Sequence, residues 1–179
     1  MLDRLSSLRG HVRVTNADGL FYESSNLVVY GGADILSRLL AGHTSYVISH
    51  MLFAFQNTAG TADTVTPVRT DTVASAFTAL SGTKDYIRAS VLSPAQLSAS
   101  GGSYVANRAT FVSIANATTG VHGVNFSAAS NSKVNAIGIV ASPTGAAAGD
   151  VLYAYFGLST AIPAVGSNQV TATWTLEAD

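Results

Sequence analysis

The sequence predicts a mainly β protein, an antiparallel β-sandwich or jelly-roll-like domain with one short α-helix packed on it at about residues 33–41. Three observations predict it. Short runs rich in Val, Ile, Thr, Tyr and Phe recur along the chain, separated by clusters of Gly, Ser, Asn, Thr and Asp. Only the segment 33–41 joins a helical spacing of apolar residues to helix-end signals. At 179 residues the chain suits one sandwich core better than two small domains.

Residues 1–10 are expected to form an N-terminal arm or short helix, outside a single sandwich domain spanning 11–179. Leu2, Leu5 and Leu8 recur every third position with Arg4 and Arg9 between them, which suits a one- or two-turn amphipathic helix or an arm docked on a neighbour. Residues 11–15 alternate around Arg13, Asp18-Gly19 turns the chain, and residues 20–24 follow, so the first hairpin is expected to span 11–30. Residues 27–30 continue as strand until Gly31-Gly32 breaks it. Ile35, Leu36, Leu39 and Leu40 then share one helical stripe, with Asp34 expected in the first turn and Gly42 placed to close the last one. So brief a helix cannot stand alone, and its stripe is expected to be covered where it plugs or caps the sandwich.

Residues 46–56 are the most apolar stretch and read as a central strand, followed by a polar loop over 57–72. Residues 73–80 suit a strand or a short helix. Further strands are expected at 86–93, 106–116, 123–127, 135–141, 151–158 and 169–177. In the last of these Val170, Ala172, Trp174 and Leu176 face one way, with Trp174 in the core. Thr171, Thr173, Thr175 and Glu177 face the other, toward water or a neighbouring chain.

Charged residues are 11% of the chain, against about a quarter in an average soluble domain, so small polar residues must supply much of the surface. That composition suits a protein that meets other protein surfaces. A net charge of -1 with scattered basic residues gives no footprint for nucleic acid. The absence of cysteine excludes disulfides and thiolate metal sites. No window reaches the length of a membrane span and the opening residues lack a signal peptide's apolar segment, so the chain is expected to stay in a cytoplasm or leave it by lysis.

Little in the sequence points to catalysis. His11, His43, His50 and His122 are isolated, without His-x-His or HExxH spacing, and His50 is expected to pack beside an aromatic residue; no metal or other cofactor is expected. Asp63, Asp71, Asp85 and Asp150 fall in expected loops as turn caps, and no acidic residue lies between Asp85 and Asp150, so no catalytic residue is nominated. Gly31-Gly32 lacks the Lys-Ser/Thr of a phosphate loop and reads as a tight turn. Tyr153 and Tyr155 suit core or rim packing, whereas Tyr104, beside Gly101-Gly102 at an expected loop tip, suits a contact or a sugar platform.

Four segments taken together resemble small virion structural proteins of tailed bacteriophages. They are Asn-Leu-Val-Val-Tyr-Gly-Gly-Ala-Asp-Ile-Leu at 26–36 with its helix to Leu40, Ile-Ser-His-Met-Leu-Phe-Ala-Phe at 48–55, Val-Asn-Ala-Ile-Gly-Ile-Val at 134–140, and Val-Thr-Ala-Thr-Trp-Thr-Leu at 170–176. The layout is similar to the amino-terminal attachment domain of tail-collar fibre proteins and to β-sandwich capsid cement proteins, and it covers most of the chain from residue 26 onward. The resemblance implies a non-enzymatic structural protein of the virion, assembled in the host cytoplasm. Fibre proteins carry Gly-rich sequence where Ala54-Phe55-Gln56 stands, and Glu-Ile-Gly-Leu where Ala136-Ile137-Gly138-Ile139 stands. Those departures, and a chain that stops at the sandwich without a shaft, favour a capsid cement or decoration protein, with a tail or collar fibre or adaptor subunit as the alternative. Implied partners are the major capsid protein or tail and collar proteins, together with copies of the chain itself, a trimer suiting quasi-threefold positions. The residues nominated for contact are Leu2, Arg4, Leu5, Leu8, Arg9, Arg13 and Tyr104. Removing residues 1–10 is expected to spare the fold and abolish particle binding. A carbohydrate-binding module using Tyr104 is a further reading, and an enzyme ranks last.

Overall fold

A computed structural model describes residues 8–16, 19, 21–43, 45–56, 66–78, 84–92, 108–115, 133–163 and 169–178. In chain order the strands are β1 (Leu8–Asn16), β2 (Phe21–Ser25), β3 (Leu27–Val28), β4 (Val47–Gln56), β5 (Lys84–Ser90), β6 (Arg108–Ala115), β7 (Lys133–Ser142), β8 (Val151–Pro163) and β9 (Val170–Ala178), with the helix α1 (Tyr30–Leu40) between β3 and β4. They form two antiparallel sheets, one ordered β2-β1-β9-β6 and the other β3-β8-β7-β4-β5. The protein is thus a β-sandwich with one short helix, the fold class the sequence predicts.

Alternation builds the first sheet. Val12 and Val14 of β1 and Val170, Ala172, Trp174 and Leu176 of β9 point inward and are buried, while Thr171, Thr173, Thr175 and Glu177 lie half-buried on the outer face. Trp174 meets Phe156 of the second sheet edge to face, with centroids 5.9 Å apart and planes at 70°. The second sheet is covered on both sides. Its inner face adds Met51, Phe53, Ile137 and Ile139 to the core. On its outer face Leu52, Ala54, Tyr86, Ala136, Val140, Leu152 and Tyr155 make a separate apolar cluster beneath Val29 and Ala76. This double burial explains why β4 and β7 read as continuous apolar runs rather than alternating ones.

The segment over that outer face is the one whose sequence suits either strand or helix. It contains a single π-helical turn, Ala74–Thr78. Ser75 donates its N–H to Thr72 Oγ1 at 3.2 Å, and Asp71 caps the turn before it, accepting from Val68 N–H at 2.9 Å and Ser75 Oγ at 3.0 Å. Tyr155 of β8 donates its hydroxyl to Asp71, which fastens the segment to the sheet. Burial and the Asp71 carboxylate push the Tyr155 phenol well above its usual range.

The two sheets are stitched together at two corners. From β2 to β3 the chain changes sheet across Asn26 alone, whose N–H donates to the Gly10 carbonyl at 3.0 Å; its amide fills the space that a Cβ on Gly10 would occupy. Past β5, Val91 bridges Ser113, Val91 N–H donates to Ser49 O at 2.9 Å and Leu92 N–H to Val112 O at 2.8 Å. Moving from Ser49 to Val47 therefore runs alongside Ser113 to Arg108. Leu8 and Ala178, paired with each other in the first sheet, stand at the end of the sandwich that carries Val47.

Several expectations need correction. Residues 8–10 are neither arm nor helix: Leu8, Arg9 and Gly10 pair with Ala178, Glu177 and Leu176 as part of β1, because the ladder with β9 outweighs the weak helical pattern of so short a segment. The first hairpin closes with Gly19 at φ 76°, its N–H donating to Asn16 O at 3.1 Å, and it ends at Ser25 rather than 30. The helix begins at Tyr30, not 33, so Gly31 and Gly32 lie inside its first turn and Asp34 lies beyond it. Those glycines serve close approach. A Cβ on Gly31 would stand 2.7 Å from the Leu152 carbonyl oxygen, and one on Gly32 would overlap that of Tyr153. Asp34 instead pairs with Arg38 one turn on, at 2.7 Å. Gly42, at φ 88°, closes the helix as expected, with Gly42 N–H donating to Leu39 O and His43 N–H to Arg38 O. The strand expected at 123–127 lies outside the described residues.

Candidate functional site

Two places on the molecule hold side chains that the fold alone does not require. The first is the end of the sandwich capped by α1. Ile35 is buried and Leu36 packs on the core, so half of the predicted stripe is covered as expected. The other half is not. Leu39 is 40% exposed, Leu40 83% and Val47 61%. Arg38 lies over the Tyr46 ring, 6.0 Å from its centroid, and joins the helix end to the start of β4. Leu39 and Leu40 at the end of α1 and Val47 at the start of β4 are thus exposed apolar residues at the end of the sandwich where β1 begins and β9 finishes.

The second place is a polar cluster on the outer face of the second sheet. Arg88 of β5 forks onto Asp150, at the start of β8, through Nε at 2.7 Å and Nη2 at 2.8 Å, and Nη2 also donates to Gly145 O at 2.7 Å. Their side chains are 9% and 2% exposed, so this ion pair is nearly dehydrated. Beside it, His50 of β4 sits directly across from Ser90 of β5, with Nε2 3.2 Å from Ser90 Oγ, and its Nδ1 lies 2.8 Å from Ser49 Oγ. Burial, then the Arg88 charge, lower the His50 pKa below its usual value against a smaller opposing effect of Asp150. A cleft of about 250 Å³ adjoins the pair, walled by Tyr30 and Gly31 of α1, by residues 70–73, and by Asp150, Val151 and Leu152. Asp71 and Asp150 both line it, each already held by donors from the protein. Among the described residues no group of three or more His, Cys, Asp or Glu side chains gathers as for a metal ion.

Of the residues nominated from sequence, Leu8, Arg9 and Arg13 lie in β1, with Arg13 on the outer face of the first sheet opposite Glu23 and Thr173. Leu2, Arg4, Leu5 and Tyr104 lie outside the described residues. His50 has the hydroxyls of Ser49 and Ser90 as its ring-nitrogen partners, and the Asp150 carboxylate is an ion-pair partner rather than a turn cap. Sequence reasoning passed over Arg88, Ser49 and Ser90, whose partners are set by pairing across β4 and β5 and by the β7–β8 turn. The exposed half of the helix stripe was visible as apolar residues, but its lack of cover was not.

Comparison with known proteins gives no match: no family model, no curated protein and no solved structure is significantly similar to this chain.

Proposed function

We propose that this protein is a structural subunit that works by protein–protein contact, most specifically a cement or decoration protein of a tailed-phage virion. The observation that carries this reading is the exposure of the apolar side chains Leu39, Leu40 and Val47 on a chain with only 11% charged residues. Burying such side chains against another protein is worth about 25 cal/mol per Å² of apolar area, before the cost of association is subtracted. The phage assignment rests on the four-segment sequence resemblance, which the sandwich and the strand-to-helix unit suit. A tail or collar fibre or adaptor subunit is the runner-up within the same class, and further copies of the chain are expected among the partners.

The test is to purify particles made under the genome that encodes the chain and to count its copies by quantitative mass spectrometry. A fixed copy number per particle, lost when Leu40 is replaced by Asp, is the expected result. Particles that lack the chain, together with a purified protein that stays monomeric at high concentration, would sink the proposal. Truncation should remove residues 1–7 only, because residues 8–10 belong to the β1–β9 ladder.

A further inference from the structure

The Ser49, His50 and Ser90 group is not explained by assembly. We propose that Ser90 is a base-activated nucleophile that accepts acyl groups from small activated esters, with His50 as its general base and Ser49 as a positioning residue. Adjacent residues of a regular strand point to opposite faces, so Ser49 and His50 should not meet. They do because β4 carries a bulge: its register against β7 shifts between Ile48 and His50, leaving Ser49 as the extra residue and bringing its hydroxyl to the imidazole. The Ser49 carbonyl accepts the Val91 N–H at 2.9 Å, so the bulge is tied to the chain that carries Ser90.

The arrangement has the order nucleophile, base, orienting group. Dehydration and the neighbouring Arg88, itself forked to Asp150, keep the ring unprotonated at neutral pH. With Nδ1–H donating to Ser49 Oγ, the Nε2 lone pair faces the Ser90 hydroxyl at 3.2 Å. Ser90 is exposed, so a small acyl donor reaches it. In the step, Ser90 Oγ bonds to the ester carbonyl carbon and its proton passes to His50 Nε2. The bond from that carbon to the aryl oxygen breaks, and the departing phenolate takes the proton back from His50. The products are acyl-Ser90 and a phenol, and water repeating the route regenerates the serine.

The full chain is to be treated with p-nitrophenyl acetate and, separately, with a fluorophosphonate probe, and the modified residue located by peptide mass spectrometry. Modification at Ser90 is expected, absent in Ser90→Ala and slowed by about 10²–10⁴-fold in His50→Gln, the usual contribution of a positioned base. The wild-type rate should hold level through neutral pH and fall only at a midpoint below about 6.5, the ordinary histidine value. In Ser49→Ala that midpoint should move, a change that a purely structural role would not produce. Modification at other residues, a wild-type rate equal to that of Ser90→Ala, or a folded His50→Gln protein reacting at the wild-type rate would overturn the proposal. Should His50→Gln fail to fold, the exposed Ser90→Ala change decides the matter alone. None of these outcomes depends on whether the chain assembles into a particle.

Discussion

Replacing Asp150 by Ala would leave the Arg88 guanidinium in a nearly dry site with, among the described residues, the Gly145 carbonyl as its remaining acceptor. Of its three hydrogen bonds to described residues the two to Asp150, at 2.7 and 2.8 Å, disappear from a side chain that is 9% exposed in the parent. Breaking a buried pair from one side costs about 3–5 kcal/mol, because the stranded charge keeps its dehydration penalty and loses its compensation. For a chain of this size each kcal/mol moves the melting temperature by about 2–4 °C, so a fall of about 6–20 °C is expected for Asp150→Ala. The assay is thermal and urea unfolding followed by circular dichroism, on Asp150→Ala, Arg88→Met and the double variant Arg88→Met/Asp150→Leu. The double variant should recover most of the loss, since a buried ion pair exchanged for apolar side chains is often neutral. Single variants within about 0.5 kcal/mol of the parent, the range of ordinary surface changes, would refute the reasoning, as would a double variant that loses the sum of both.

Three further outcomes are expected. Gly32→Ala should force α1 away from the Tyr153 carbonyl at a cost of about 1–3 kcal/mol, read as faster amide hydrogen exchange through the helix; unchanged exchange would contradict the close-approach account. Leu40→Asp should leave the unfolding free energy within about 0.5 kcal/mol of the parent while abolishing association, and a large stability loss would mean that Leu40 packs on its own chain. Burial pushes the Tyr153 phenol up to about 12. The stability linked to it is therefore fully present below the ordinary value of about 10 and is lost as pH rises through about 12. Phenolate absorbance should show Tyr153 and Tyr155 still protonated well above pH 10, and a titration in which both ionise near pH 10 with the fold intact would go against it.

Period-two patterning was readable wherever one face of a strand is wet, as in β9, where the inward set Val170, Ala172, Trp174 and Leu176 is the one the sequence predicts. The apolar run of β4 also announced a central strand, since burial on both faces leaves no polar alternation to hide it. The start of α1 was misread because the demand for glycine at 31 and 32 comes from Leu152 and Tyr153, far along the chain, and a Gly-Gly pair looks locally like a break. Residues 8–10 were misread for the same kind of reason: their partners are the last residues of β9. The polar cluster was the least legible. Arg88 and Asp150 are 62 positions apart and His50 and Ser90 are 40 apart, so only strand register brings them together, and the bulge at Ser49 has no signature in composition. The helix stripe was half legible: its leucines were evident, but that the sheets cover Ile35 and Leu36 and leave Leu39 and Leu40 exposed depends on tertiary packing.

The pairing of Leu8 with Ala178 has a practical consequence for anyone handling the protein. A purification handle or fluorescent reporter attached before β1 or after β9 emerges at the same end as Leu39, Leu40 and Val47, where its bulk would shield the very residues under test. A reporter inserted instead just after Ala115 or Pro163, which close β6 and β8 at the opposite end of the two sheets, keeps its attachment point away from that end, and the difference between the two kinds of fusion would itself reveal which end meets a companion.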